Sequence, residues 1–232
     1  MISLFSILLL GFFLGMRHAT DADHVVAVTN IVSQQRTIRS AAWTGIFWGI
    51  GHSLTVLLVG GAIACFGFVV TERLGLSFEF SVAIMLIVLG LLNLHAAFRG
   101  FGEAREPGVD HAGENAWLGR WLGKLSAGSA LRPLLIGVVH GLAGSAAAAL
   151  LVLPLMRDAT SAIFYLLVFG AGTIAGMMLI TAAIAMPVRY AAGRSAAWHR
   201  LLGGLAGAMS FCFGAFLAYH VGFVQRLFLG GS

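Results

Sequence analysis

Six stretches of the chain are long and apolar enough to cross a hydrocarbon core: residues 2–33, 41–71, 79–98, 131–156, 160–188 and 200–226. A core of roughly 30 Å takes about 20 helical residues. In lipid every backbone N–H and C=O has to be satisfied within the protein, so unbroken apolar stretches of this length read as helices. Composition agrees: 59% of the residues are hydrophobic and 10% charged, against about 25% charged in a soluble domain. An ordinary soluble enzyme, a nucleic-acid-binding domain and a disordered chain are excluded. The net charge of +5 therefore reports topology and not nucleic acid. Cys65 and Cys212 both lie in apolar runs and define neither a disulfide framework nor a thiolate metal site. The apolar opening Ile2 to Met16 lacks a basic start and a small-residue cleavage site, so it is expected to be a retained first helix.

Basic residues orient the bundle. Arg36, Arg39, Arg99, Arg105, Arg120, Lys124, Arg132, Arg189, Arg194 and Arg200 fall on one side of a six-span arrangement, and Arg73, Arg157 and Arg226 on the other. Ten against three puts the loops of the first group in the cytoplasm and both termini outside. Residues 99–130 form the one long hydrophilic loop. Within it Trp117, Leu118, Trp121, Leu122 and Leu125 share a helical face opposite Arg120 and Lys124, which predicts a short interfacial helix. An internal repeat is also visible. Leu14-Gly15-Met16-Arg17-His18-Ala19 resembles Ile136-Gly137-Val138-Val139-His140-Gly141, Gly49-Ile50-Gly51 resembles Gly170-Ala171-Gly172, and Gly90 to His95 loosely matches Gly214 to His220. The expected fold is an all-α polytopic membrane protein whose halves, 1–98 and 131–232, form a 3+3 inverted repeat, an arrangement transporters use for alternating access.

The sharpest feature lies inside the first stretch: His18-Ala19-Thr20-Asp21-Ala22-Asp23-His24. An Asp or Arg at the centre of a spanning helix costs about 2.5–3.5 kcal/mol to insert, and Arg17, Asp21 and Asp23 all fall here. On one helix His18, Asp21 and His24 share a third of the circumference. Asp23 and His24 could meet one ion only if the helix bends or unwinds, so a break is predicted at this motif. Imidazole with carboxylate suits Ni²⁺, Co²⁺ or Zn²⁺, and suits Mg²⁺ less, because Mg²⁺ prefers oxygen. The competing reading is a structural patch, with Arg17 and Asp21 neutralising each other at i, i+4. His52, in Gly51-His52-Ser53 of the second stretch, is expected to line the same cavity. The candidate metal residues are therefore His18, Asp21, Asp23, His24 and His52, with His140, Ser53, Ser145 and Asn93 lining the pathway. His95 and His220 read as interfacial polar groups, His111 and His199 as solvated loop residues, and Met177, Met178 and Met209 as packing. After Arg132 the one acid is Asp158. A transported cation is thus expected off the repeat axis, towards spans one and two.

Arg17 to His24 resembles the signature of the nickel/cobalt transporter family, whose members carry a His, four residues, then Asp-His. Phe47-Trp48-Gly49-Ile50-Gly51-His52-Ser53-Leu54-Thr55-Val56 is similar to its Gly-His-Ser/Thr motif. His140-Gly141-Leu142-Ala143-Gly144-Ser145-Ala146 is similar to the short, urease-accessory H-like branch. The resemblance implies a secondary transporter of Ni²⁺ or Co²⁺ without a tightly bound cofactor, in a bacterial inner membrane, serving urease maturation through a cytoplasmic metallochaperone. It carries over His18, Asp23, His24 and His52 as metal-site residues, and Asp21 also matches a motif position. The family's later acidic motifs are absent, with Thr181 where an acid would follow Gly176-Met177. Without a His-rich loop, uptake is favoured and efflux is the alternative. A membrane haem b protein with histidine axial ligands would explain His52, His95 and His220 but leaves Asp21 and Asp23 unexplained. No His-Glu-x-x-His is present for a metalloprotease.

Overall fold

The first apolar stretch is two helices. In the computed structural model α1 runs Leu4–His18 and α2 runs Ala22–Val32. Two tight turns separate them: Thr20 N–H donates to Arg17 O at 2.8 Å and Asp21 N–H to His18 O at 3.1 Å. Such three-residue closures use up the last carbonyls of a helix and stop it. The structure describes residues 4–33, 35, 37–67, 70–102, 130–143, 156, 158–192, 196–225 and 227–228.

The other described helices are α3 (Ile38–Phe66), α4 (Glu72–Gly102), α5 (Leu131–Leu142), α6 (Ala159–Ala192) and α7 (Ala196–Tyr219). A π-helical turn over His220–Val224 follows. There is no strand among the described residues. Thr37 caps α3 by accepting from Ser40 N–H at 3.1 Å. Gly67, with φ of 63°, closes the helix in the left-handed conformation that glycine takes without penalty. Asp158 opens α6, its carboxylate accepting from Ser161 N–H at 3.0 Å, and these bonds hold its pKa below the usual carboxylate value. Four segments are long and apolar enough to cross a membrane: Ile38–Phe66, Glu72–Phe98, Ala159–Tyr190 and Arg200–Val224. Shorter apolar helices cover Ser6–His18, Ala22–Val32 and Leu131–Leu142. The third stretch begins earlier than its apolar run implies, at Glu72, and takes Glu79 into the body of α4. The expected interfacial helix, with His111, and Ser145 lie outside the described residues.

The burial pattern is that of a protein dissolved in lipid. Leu58, Phe66, Phe98, Phe164 and Phe216 point outward, whereas His18, His24, Asn30, His52, Asn93, His140, Thr173, Thr181 and Ser210 are buried. With apolar solvent outside, helices associate through close backbone approach and interhelical hydrogen bonds. Both are present. Ser53 Oγ donates to Gly170 O at 3.1 Å and Ser210 Oγ to Leu86 O at 2.8 Å.

Close approaches occur at glycines where helices distant in sequence meet. A Cβ at Gly15 would stand 2.1 Å from Phe169 O and 2.8 Å from Thr173 N. One at Gly137 would stand 2.1 Å from Trp48 O and 2.9 Å from His52 N. Likewise Gly172 sits against Phe12 O and Gly51 against Leu134 O, at 2.1 and 2.2 Å. Gly90 backs onto Gly207 O and Phe211 N, and Gly214 onto Ala83 O and Ile87 N. Accordingly α1 packs on α6 as α5 packs on α3, while α3 pairs with α6 and α4 with α7.

Candidate metal site

The helix break is what makes the site. His18 is the last residue of α1, and Asp23 and His24 stand in the first turn of α2, so the break replaces the separation a continuous helix would impose. Asp21 occupies the N-cap of α2 but makes no capping hydrogen bond. Its Oδ2 instead accepts from His18 Nδ1 at 2.8 Å. A side chain that would ordinarily contribute about 1 kcal/mol to a helix cap is committed to an imidazole. Once His18 Nδ1 donates, its Nε2 carries the lone pair. That atom lies 3.1 Å from His52 Nε2. Two cis ligands at metal–nitrogen bonds of about 2.1 Å stand roughly 3.0–3.4 Å apart, so the pair is spaced as ligands of one ion would be.

His24 follows the same plan. Its Nδ1 faces Asp23 Oδ1 at 3.2 Å, and its Nε2 is buried with no hydrogen-bond partner among the described residues. His52 Nδ1 is likewise without one. An unsatisfied buried polar atom costs about 1–3 kcal/mol, a cost that a bound cation removes for a nitrogen lone pair. A carboxylate holding the far nitrogen of an imidazole is the usual support of a metal-binding histidine, fixing its tautomer and raising its basicity. The rings pack together, with centroids 4.7 Å apart for His18–His24, 5.0 Å for His18–His52 and 5.3 Å for His24–His52. Trp48 stacks on His24 at 5.7 Å and Phe169 lies 5.7 Å from His18, walling the cluster with aromatic carbon.

His140 is in this cluster. Its ring lies 4.8 Å from that of His24 and its Nε2 is 3.5 Å from Asp23 Oδ2. Two groups of ligand atoms result, His18–His24–His52 and Asp23–His24–His140, each with its atoms within 4.8 Å of one another. α5 thus brings an imidazole from a distant part of the chain to the carboxylate of Asp23, beside the residues of α1, α2 and α3. Ser53 and Asn93 stand elsewhere. Ser53 bonds α6, as above, and Asn93 bonds Asn30 and Ser33 at the far end of α2, donating to Asn30 O at 2.8 Å and to Ser33 Oγ at 3.1 Å. His95 is exposed, and His220 lies in the π-helical turn against Phe216. Met177 is buried in the apolar core and Met209 is exposed.

One acid escaped the sequence reading. Glu79 shares with Asp23 the lining of a cavity of about 310 Å³, completed by Ala22, Val82, Ala143, Phe213 and Leu217. A lone acid a short way into an apolar helix was its only signal. Trp48 and Phe169 were also not singled out, since an aromatic residue in a membrane span carries no mark of function.

Long apolar helices around a buried cluster of imidazole and carboxylate define an integral membrane protein. Residues 4–227 match the model of the NicO family, described as high-affinity nickel-transport protein, and the chain belongs to that family. It is a family of transporters and not of enzymes. The chain is 34% identical over 227 residues to the urease accessory protein UreH of Bacillus sp. (strain TB-90), covering 98% of this chain and 96% of that one. It is 36% identical over 121 residues to the hydrogenase nickel incorporation protein HupN of Bradyrhizobium diazoefficiens, covering 47% of this chain and 32% of that one. With the high-affinity nickel transport protein of Cupriavidus necator the identity is 31% over 112 residues, covering 44% of this chain and 32% of that one. No solved structure matches the chain.

Proposed function

We propose that this protein takes up Ni²⁺, or Co²⁺ in its place, through the bacterial plasma membrane, at a site formed by His18, Asp21, Asp23, His24 and His52. The observation that carries this reading is the buried triad of His18, His24 and His52, whose ligand atoms lie within 4.8 Å of one another inside an apolar bundle. Neutral imidazoles with nearby carboxylate favour borderline divalent ions. The Asp21 and Asp23 carboxylates hold the far nitrogens of His18 and His24, and their charge offsets part of that of the ion.

The transport cycle follows from the halves. Residues 1–98 and 131–232 act as two inverted three-span repeats joined by the cytoplasmic segment 99–130, with both termini outside. The matched glycine contacts favour this reading: Gly15 and Gly137, 122 positions apart, meet backbone atoms of residues themselves 121 positions apart. The ion sheds water as it enters, is held by imidazole and carboxylate, and is released when the halves rock about the site. His140 and the segment holding Ser145 line the route. Likeness to proteins named urease accessory protein and hydrogenase nickel incorporation protein favours delivery to a nickel enzyme, with a cytoplasmic metallochaperone as the partner. Accumulation of radiolabelled Ni²⁺ and Co²⁺ by cells with and without the protein tests the proposal. Greater accumulation with the protein, lost in His24→Ala, supports it. Unchanged accumulation defeats it, and accelerated loss from preloaded cells would reverse the direction.

A further inference from the structure

The two ligand groups share His24 and differ in everything else. His18 and His52 are contributed by α1 and α3 and are buried, as is the shared ring. Asp23 and His140 are contributed by α2 and α5, and Asp23 also forms part of the cavity wall with Glu79. His140 Nε2 lies 3.5 Å from Asp23 Oδ2, too long for a good hydrogen bond but a fitting gap between two ligands of one ion at bonds of about 2.1 Å. Neither group includes all four histidines. A single ion touching every member would need the bundle to contract.

From this geometry we infer that the cluster offers one divalent cation two adjoining positions, a cavity-side position at Asp23, His24 and His140 and a deeper position at His18, His24 and His52, with His24 held throughout the passage between them. The inference rests on the transport reading above and deepens it. A common ring keeps the ion from being fully released between positions, so each exchange replaces the other ligands while His24 stays beside the ion. Two ions cannot occupy both positions at once, since one imidazole and a short separation would be shared by two dications. The cavity-side position carries a carboxylate ligand, which suits a partly hydrated incoming ion, and Glu79 adds a second negative charge to the approach. The deeper position is all-imidazole and buried, which suits a dehydrated ion. The repeat supplies the second position. His140 stands where His18 stands in the other half, and Thr173 stands where His52 stands, so the second half provides one imidazole and the acid is borrowed from the first.

Purified full-length protein, with Co²⁺ as an optical probe and Ni²⁺ as competitor, tests the inference. The wild type should bind one Co²⁺. His140→Gln should keep that binding within about tenfold while Ni²⁺ accumulation by cells falls by at least about tenfold. The His18→Gln/His52→Gln double variant should retain weaker Co²⁺ binding with an altered ligand-field spectrum, and Asp23→Asn added to it should abolish the remainder. His24→Gln should lose both. If the double variant bound no Co²⁺, or if His140→Gln lost binding as fully as His24→Gln, there would be one position and the inference would fall. A wild type that binds neither metal would instead overturn the transport reading itself. Should His140→Gln fail to elute as a single species, His140→Asn provides the same comparison, since it too removes the imidazole without touching Asp23 or His24.

Discussion

At the scale of single residues, neighbours in one short motif have unequal roles. Asp21 is about half exposed and bonds only the far nitrogen of His18, whereas Asp23 is largely buried and faces both His24 and His140. Asp21→Asn should therefore leave folding intact and weaken Ni²⁺ binding about 10–100-fold, the range for losing a group that orients a ligand. Titration calorimetry on purified protein measures it, and an unchanged affinity would show that His18 needs no such support. His18→Ala, Asp23→Ala and His24→Ala should each abolish Ni²⁺ accumulation, with His111→Ala and His199→Ala near wild type. His199, expected in a loop, lies in the first turn of α7; were His111 and His199 required and the residues of the first stretch not, the site would have been drawn in the wrong place. Ser53 stands next to His52 in sequence, yet its hydroxyl ties α3 to α6. Ser53→Ala should cost roughly 0.6 kcal/mol, the average for an interhelical bond in a membrane, and leave uptake near wild type. A large loss of uptake in a stable variant would show that Ser53 also serves the pathway.

At the scale of helices, backbone approach matters as much as side-chain chemistry. His52 reaches the cluster from a helix held against α5 at Gly137 and Gly51, and a methyl group at either meets carbonyl oxygen that cannot move aside. Gly137→Ala and Gly15→Ala should each destabilise the protein by about 1–3 kcal/mol, the cost of overpacking. Gly61→Ala should be silent, because nothing lies within 4 Å of a Cβ there. Thermal unfolding in detergent compares them; equal stability of all three would mean that the helices are spaced more loosely than described. The break between α1 and α2 belongs to this scale too. It was legible because Arg17, Asp21 and Asp23 crowd the centre of an apolar stretch. The start of α4 was not legible, since residues 72–78 read as loop by hydropathy and yet are helical.

At the scale of the whole molecule the proposed topology has a direct consequence. A reporter fused after Ser232 should be active outside the cytoplasm and one inserted near Gly113 active inside it. The opposite pattern would overturn the orientation drawn from ten basic residues against three. Sequence alone determined that the chain lives in lipid, that its first stretch breaks at the acids, and that His18, Asp23, His24 and His52 are candidates for one ion. These follow from local rules, since hydropathy, charge cost and ligand type need no knowledge of neighbours. Which histidines meet was decided by tertiary structure. His140 has no acid on its own helix and read as a residue of the route. It joins Asp23 because Gly51 and Gly137 let α5 lie against α3, and that approach depends on how two distant surfaces fit. For the same reason Asn93, polar and promising in sequence, ends beside Asn30 and Ser33, and Glu79, unremarked in sequence, ends on the wall of the cavity with Asp23.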